Sequence, residues 1–268
     1  MRTIFETCKP RADVQSGATR DEQFAADLAE VVNETAPKEY SDPATFFRHT
    51  YPTRGLKKLI ETVCKRLSGK GGELASIIRL DTQFGGGKTH SLIALTHAVR
   101  GMKGVENPAE FVDVSLLPKE EVRVAALDGE NADPANGRLL EKGVYAKSLW
   151  GELAYRIAGI EGFRRVEESD KTHVAPGADT LKELFAGRKV LILIDEIAVY
   201  LRKVEKTFPG QSNQFAAFTQ ALFKAVESSP GVVLVITLAV GKDAKAHDAY
   251  RDEQLRAMAA FAEADSVI

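Results

Sequence analysis

The stretch Ser76–Leu95, SIIRLDTQFGGGKTHSLIAL, decides the fold. Ile77 and Ile78 open a buried strand, a glycine-rich turn follows, and Leu92, Ile93 and Leu95 come at helical spacing after Lys88. Three consecutive glycines, Gly85, Gly86 and Gly87, carry no Cβ, so several backbone N–H groups can turn inward on one anion. Lys88 adds a charge that reaches β- and γ-phosphates, Thr89 a hydroxyl for Mg²⁺, and the helix directs the positive end of its dipole to the same point. The segment is suited to a nucleoside triphosphate, with Phe84, Gly85, Gly86, Gly87, Lys88, Thr89 and His90 as the binding set. The pattern GxxxxGK[ST] asks for glycine at position 82, where this chain has Thr82; the surplus of glycine that follows makes the fault tolerable.

Working outward, Val190–Ile194 (VLILI) is a solid apolar run followed at once by Asp195 and Glu196. Such a run suits the middle of a parallel sheet covered on both faces, and its carboxyl end is where open α/β sheets place ligands. Asp195 there can hold Mg²⁺ together with Thr89, and Glu196 can orient and deprotonate an attacking water. The plainer alternative is an N-cap acid and a first-turn acid, which helix ends favour without chemistry. Val122–Leu127 (VRVAAL) and Val232–Ile236 (VVLVI) are two further buried strands. Thr237, at the tip of the latter, would touch the γ-phosphate or the water. Four strands separated by helices imply an α/β fold, a parallel sheet with helices on both faces. The whole scheme requires the Asp195 carboxylate and the Thr89 hydroxyl to converge.

The remaining chain fills in around this. The 268 residues are 44% hydrophobic and 28% charged, ordinary for a globular protein of one large domain. A net charge of -2 gives no overall pull toward nucleic acid. Cys8 and Cys64 lie far apart without metal spacing, and no apolar run approaches the ~20 residues of a membrane span, which together place the chain in the cytoplasm. Residues 1–52 read as an arm on the main body, with a helix over Asp21–Glu34 and an aromatic-rich segment over Asp42–Pro52; residues 53–268 read as the core. Thr53 can cap a helix bearing Leu56, Leu59, Ile60, Val63 and Leu67 on one face and Arg54, Lys57, Lys58, Lys65 and Arg66 on the other. That basic stripe is the one local candidate for DNA, against the simpler reading of a solvated face. Gly129–Gly143 and Arg164–Ala178 read as irregular, Tyr145–Ile157 as a helix with Trp150 as a core anchor, and Thr180–Phe185 and Ser212–Val226 as helices. The tail from Lys242 reads as helical through Leu255, Met258 and Phe261.

The phrases EYSDPATFFRHTYPTRGLKKL, IIRLDTQFGGGKTHSLIAL, SLWGEL and VLILIDEIAVYLRK, in this order, resemble the family catalogued as domain of unknown function 499. Its members are AAA+-type ATPases found beside DNA methyltransferases and other antiphage-defence genes. The resemblance implies a three-layer P-loop NTPase fold of AAA+/ASCE type with an N-terminal helical arm. It implies Gly85 to Thr89 as a Walker A loop, Asp195 and Glu196 as Walker B, Thr237 as sensor 1, and Thr50–Leu56 near the adenine. The implied cofactors are ATP and Mg²⁺, with Glu196, Lys88 and Thr237 acting catalytically, and the implied partners are a second copy of the chain and a methyltransferase or other defence component. Family members continue beyond this sequence, which stops short of the helical lid usual in AAA+ proteins. Two functions fit: an ATPase, or a nucleotide-gated switch or scaffold with little turnover. A kinase fits less well, because a glutamate directly after the strand-end aspartate activates water.

Overall fold

The four apolar runs pair as parallel strands. The computed structural model describes residues 8–9, 12–17, 26–82, 87–239 and 266–267. Its strands are β1 (Ile77–Thr82), β2 (Val122–Asp128), β3 (Arg138–Glu141), β4 (Val144–Ala146), β5 (Lys189–Asp195), β6 (Val232–Ala239) and the two-residue β7 (Ser266–Val267). The main sheet has the order β2-β5-β6-β1-β7 and is parallel throughout, while β3 and β4 form a separate antiparallel hairpin. Strand β6 is thus interposed between β1 and β5, with Leu80 opposite Thr237 on one side and Ile194 opposite Ile236 on the other.

The helices are α1 (Ala12–Gln15), α2 (Leu28–Val32), α3 (Lys38–Ser41), α4 (Pro43–Arg48), α5 (Arg54–Leu67), α6 (Lys88–Val99), α7 (Leu149–Thr172), α8 (Ala178–Phe185), α9 (Ile197–Thr207) and α10 (Ser212–Glu227). They cover both faces, and the strand period of two sorts the sheet residues between them. Ala125, Leu127, Ile192, Ile194, Leu234 and Ile236 face a core built with α7, α8, α9 and α10. Ile78, Leu80, Ala126, Leu191, Leu193, Val233 and Val235 face the other, built with α2, α4, α5 and α6. Both parities are apolar, as a sheet buried on two sides requires. No helix among the described residues is long and apolar enough to cross a membrane.

Three expectations are corrected. The helix expected from Asp21 cannot run unbroken to Glu34, because Asp27 is extended (φ −108°, ψ 115°) and its carboxylate caps α2, accepting from Ala29 N at 2.8 Å and Glu30 N at 3.1 Å. Phe24 and the expected tail helix lie outside the described residues. Within Gly129–Gly143, the hairpin β3–β4 begins; its signal is faint because the strands are short and pair Leu139 with Tyr145 on an exposed face. Over Arg164–Ala178 the chain is helical as far as Thr172, where an irregular segment was expected.

That last helix turns back on itself. Non-helical backbone at Ala158 and at Gly159 (φ 63°, ψ −154°) breaks α7, and the second half returns to its own beginning. Phe163, Val166 and Asp170 face inward on the return, spaced three and four apart, but Arg164, Arg165, Glu167, Glu168 and Lys171 around them mask the apolar stripe. Asp170, 2% exposed, accepts from Lys147 N at 3.0 Å, from Ser148 N at 2.8 Å and from the Ser148 hydroxyl. It thereby satisfies amides at the N-terminal end of α7, where a negative charge is also favoured by the helix dipole. Asp170→Ala strands those buried donors and is expected to lower unfolding stability by about 3 kcal/mol, with Asp170→Asn intermediate; urea denaturation measures both, and an unaltered midpoint in Asp170→Ala would refute the role.

Candidate functional site

The parity that builds the core also builds the site. Asp128 follows Ala126, Asp195 follows Leu193, and Thr237 follows Val235, so at the carboxyl ends of β2, β5 and β6 all three fall on the face covered by α6. Asp128 and Asp195 are register partners. Helix α6 starts at this edge, at Lys88, directly after Gly87, whose left-handed backbone (φ 73°, ψ 26°) glycine adopts without strain. Thr89, in the first turn, donates its hydroxyl to Asp195 Oδ2 at 2.8 Å. The Thr237 hydroxyl donates to Asp195 Oδ1. Two residues more than one hundred positions apart thus meet at one carboxylate, with a second hydroxyl from the interposed strand.

Asp195 is 3% exposed. Burial pushes its carboxyl above the ordinary range, against the hydrogen bonds from Thr237 and Thr89, and the charge of Asp128 adds to the rise. Glu196 is also raised, by burial first and then by the neighbouring Asp195 charge, while Lys88 opposes the shift. Lys88 is itself buried. The site therefore holds two carboxylates disfavoured in their charged forms, a lysine near enough to act on one of them, and two hydroxyls and the Glu196 N–H as the bonded partners of Asp195 among the described residues. Of the expected binding set, Gly87, Lys88, Thr89 and His90 are at this edge; Phe84, Gly85 and Gly86 lie outside the described residues.

Glu196 sits in the left-handed region (φ 48°, ψ 39°) as the residue before α9. This is uncommon for a residue with a side chain, and it turns the chain from β5 on to the opposite face of the sheet. Gly129 makes that turn possible. Its N–H donates to Asp195 O at 2.9 Å, and a Cβ on it would lie 2.2 Å from Glu196 O. In the sequence, Asp128 and Gly129 are marked only as Asp-Gly at the end of an apolar run, which resembles any strand-ending turn. Asn131 Nδ2 then ties Asp128 Oδ2 (2.5 Å) to the α2 cap, Asp27 Oδ2 (3.0 Å).

His90 faces the chain that precedes α5. Its ring stacks on Phe46 at 4.4 Å and 28°, and its Nε2 is 2.8 Å from Thr50 Oγ1, which donates to Phe46 O. About two turns of helix further, His97 Nε2 is 2.7 Å from Tyr40 O and its ring packs against Phe46 and Phe47. The segment 37–50 is thereby fastened to α6 by two imidazoles, the half-buried His90 and the buried His97. Beside it, Tyr51 is 80% exposed. The basic stripe on α5 shrinks on inspection: Lys65 pairs with Glu61, and Arg66 donates to Leu74 O and Val232 O. Arg54, Lys57 and Lys58 remain as its exposed members.

The family model for the DUF499 N-terminal domain matches residues 4–264. The chain belongs to this family. No curated protein matches it. The match takes in every element of the DUF499 N-terminal domain described above except β7, and so spans both walls of the site.

Two outcomes follow for the DUF499 N-terminal domain. Gly129→Ala drives a methyl group into the Glu196 carbonyl and is expected to cost about 1–3 kcal/mol of stability, read from thermal or urea unfolding; a neutral result would mean the 129–196 contact is loose. Burial holds the imidazoles of His90 and His97 below the ordinary value of 6.5. The unfolded chain therefore binds more protons than the folded one between the depressed value and 6.5, so the stability these residues contribute is full above pH 6.5 and lost as pH falls below it. Compared with a His97→Gln variant, the parent should hold its largest stability advantage near pH 7.5 and a smaller one at pH 5; a constant difference across that range would show that His97 does not titrate on unfolding.

Proposed function

We propose that this DUF499 N-terminal domain is a P-loop ATPase of AAA+/ASCE type, hydrolysing ATP to ADP and phosphate with Mg²⁺. The observation that carries the reading is the meeting of Thr89 with Asp195: a hydroxyl after the glycine-rich turn and a buried carboxylate ending a parallel strand, 2.8 Å apart. A polar pair at that place has no use in packing, since its burial raises the cost of the Asp195 charge.

The donor set fits a small hard cation. Thr89 Oγ1 and Asp195 are oxygen donors, and positive charge between them would offset the burial that now disfavours the carboxylate. Mg²⁺ held there supplies charge to the phosphate oxygens. Everything else is the work of the chain. Lys88 and the amides at the start of α6 bind and orient the phosphates, with the helix dipole favouring their charge. Glu196, whose carboxyl burial raises while the Lys88 charge opposes the rise, accepts a proton from water. The water oxygen bonds to the γ-phosphorus, the bond to the β–γ bridging oxygen breaks, the water proton passes to Glu196, and ADP leaves with the bridging oxygen. Thr237, bonded to Asp195, stands two residues before the end of the strand between and orients that carboxylate. The Thr50–Leu56 segment, joined to His90 through Thr50, would lie near the base.

The experiment is a pair of variants measured for binding and turnover separately. Lys88→Ala is expected to abolish ATP binding by calorimetry. Glu196→Gln is expected to keep binding and lose phosphate release by at least about 100-fold, the usual weight of a general base. Parent-like phosphate release by Glu196→Gln would overturn the assignment of Glu196, and parent-like ATP binding by Lys88→Ala would overturn the phosphate site itself. Asp195→Asn removes a buried charge and is expected to leave the nucleotide-free protein no less stable while losing the Mg²⁺-dependent rise in melting temperature with ATP.

A further inference from the structure

Away from the proposed site, the turn that follows α9 packs on the first turn of α7. Two polar atoms there have no hydrogen-bond partner among the described residues: the indole Nε1 of Trp150 and the amide Oε1 of Gln211. Both atoms are buried, and the Trp150 side chain is 5% exposed. Both residues line one small cavity of about 20 Å³, whose other walls include His173, Tyr200, Phe208 and Phe215. One group is an obligate donor and the other a natural acceptor. Leaving either unpaired in the interior costs on the order of 1–3 kcal/mol, which is why buried polar atoms nearly always have a partner.

We propose that this cavity binds a single structural water, which accepts from the Trp150 indole N–H and donates to Gln211 Oε1. The volume selects the ligand. A cavity needs roughly 10–15 Å³ of this kind of room to hold one water, so the space admits one and excludes an organic molecule or a hydrated ion. The chemistry agrees, because a water can complete a donor and an acceptor at once, whereas an empty cavity of this size would have to be lined by apolar groups alone. Nothing in this argument depends on the ATPase reading. Its consequence is nevertheless local to α9, the helix that begins at the Glu196 cap: with Phe208 packed at a tilt on His173 at 4.6 Å, the water is a second fastening between the far end of α9 and the α7 layer.

Trp150 is the single tryptophan of the chain, so its indole N–H gives one unambiguous NMR signal in the ¹⁵N-labelled full chain. The parent is expected to show a dipolar cross-peak between that proton and water, and Gln211→Leu, which removes the acceptor and fills the space, is expected to lose it and to shift the Trp150 emission to shorter wavelength. A crystal structure of the parent should show an ordered water within about 3 Å of both atoms. A dry cavity, a direct Trp150–Gln211 hydrogen bond, or a water cross-peak that persists undiminished in Gln211→Leu would each overturn the proposal. The crystallographic measurement needs only the parent chain, so a variant that failed to fold would not spare it.

Discussion

The structure depends on one constraint: a carboxylate, that of Asp195, is held out of water at the end of a central strand by two hydroxyls and the Glu196 N–H. In a sheet buried on both faces, residues 190–194 of that strand are all apolar, and an aliphatic residue at position 195 would extend the core at no electrostatic cost. The chain instead keeps a charge-bearing group where burial raises its pKa, and surrounds it with further acids, Glu196 and Asp128. Folding stability is lowered by that choice, since a carboxyl raised in the folded state is destabilising at pH values above its shifted range. Groups retained at such a cost belong to function more often than to packing.

The geometry that makes the constraint possible is a matter of parity. Because Asp128, Asp195 and Thr237 each lie an even number of residues from a core residue of the α6 face, they reach the same side of the sheet, and α6 delivers Thr89 to that side. A slip of one residue in any of the three strands would carry its polar group to the opposite core, under α7 and α10. The two apolar cores therefore do more than stabilise; they hold register for the polar edge.

How much of this is legible in the sequence follows from the kind of signal each part leaves. The strands were readable because doubly buried parallel strands are continuous apolar runs, and VLILI and VVLVI have few other uses. Lys88, Thr89, Asp195 and Thr237 were readable because each abuts such a run or a glycine turn. The return half of α7 was not, since its inward residues Phe163, Val166 and Asp170 are diluted by charge and one of the three is itself an acid. Nor was Gly129: its importance lies in a contact with Glu196 O, a residue 67 positions away, and no local pattern reports a long-range approach of two backbones. The interposition of β6 between β1 and β5 likewise rests on tertiary pairing.

The left-handed turn at Glu196 connects these points. A strand that simply continued would carry the acid after Asp195 into the core shared with α9; a helix starting one residue later would leave it in solvent. With φ at 48° the chain reverses at the residue itself, so that Ile197, Tyr200, Leu201 and Val204 bury against one face while the acid stays at the sheet edge, within the influence of Asp195 and Lys88. Such a backbone costs on the order of 1–3 kcal/mol and persists only where its surroundings fix it. Here they do so from both ends: Gly129 leaves room beneath the Glu196 carbonyl and donates to Asp195 O, and α9 is anchored beyond by Phe208 on His173. The strain is therefore local to the acid, and the packing around it is what keeps the carboxyl at the edge where the Asp195–Thr89 pair already stands.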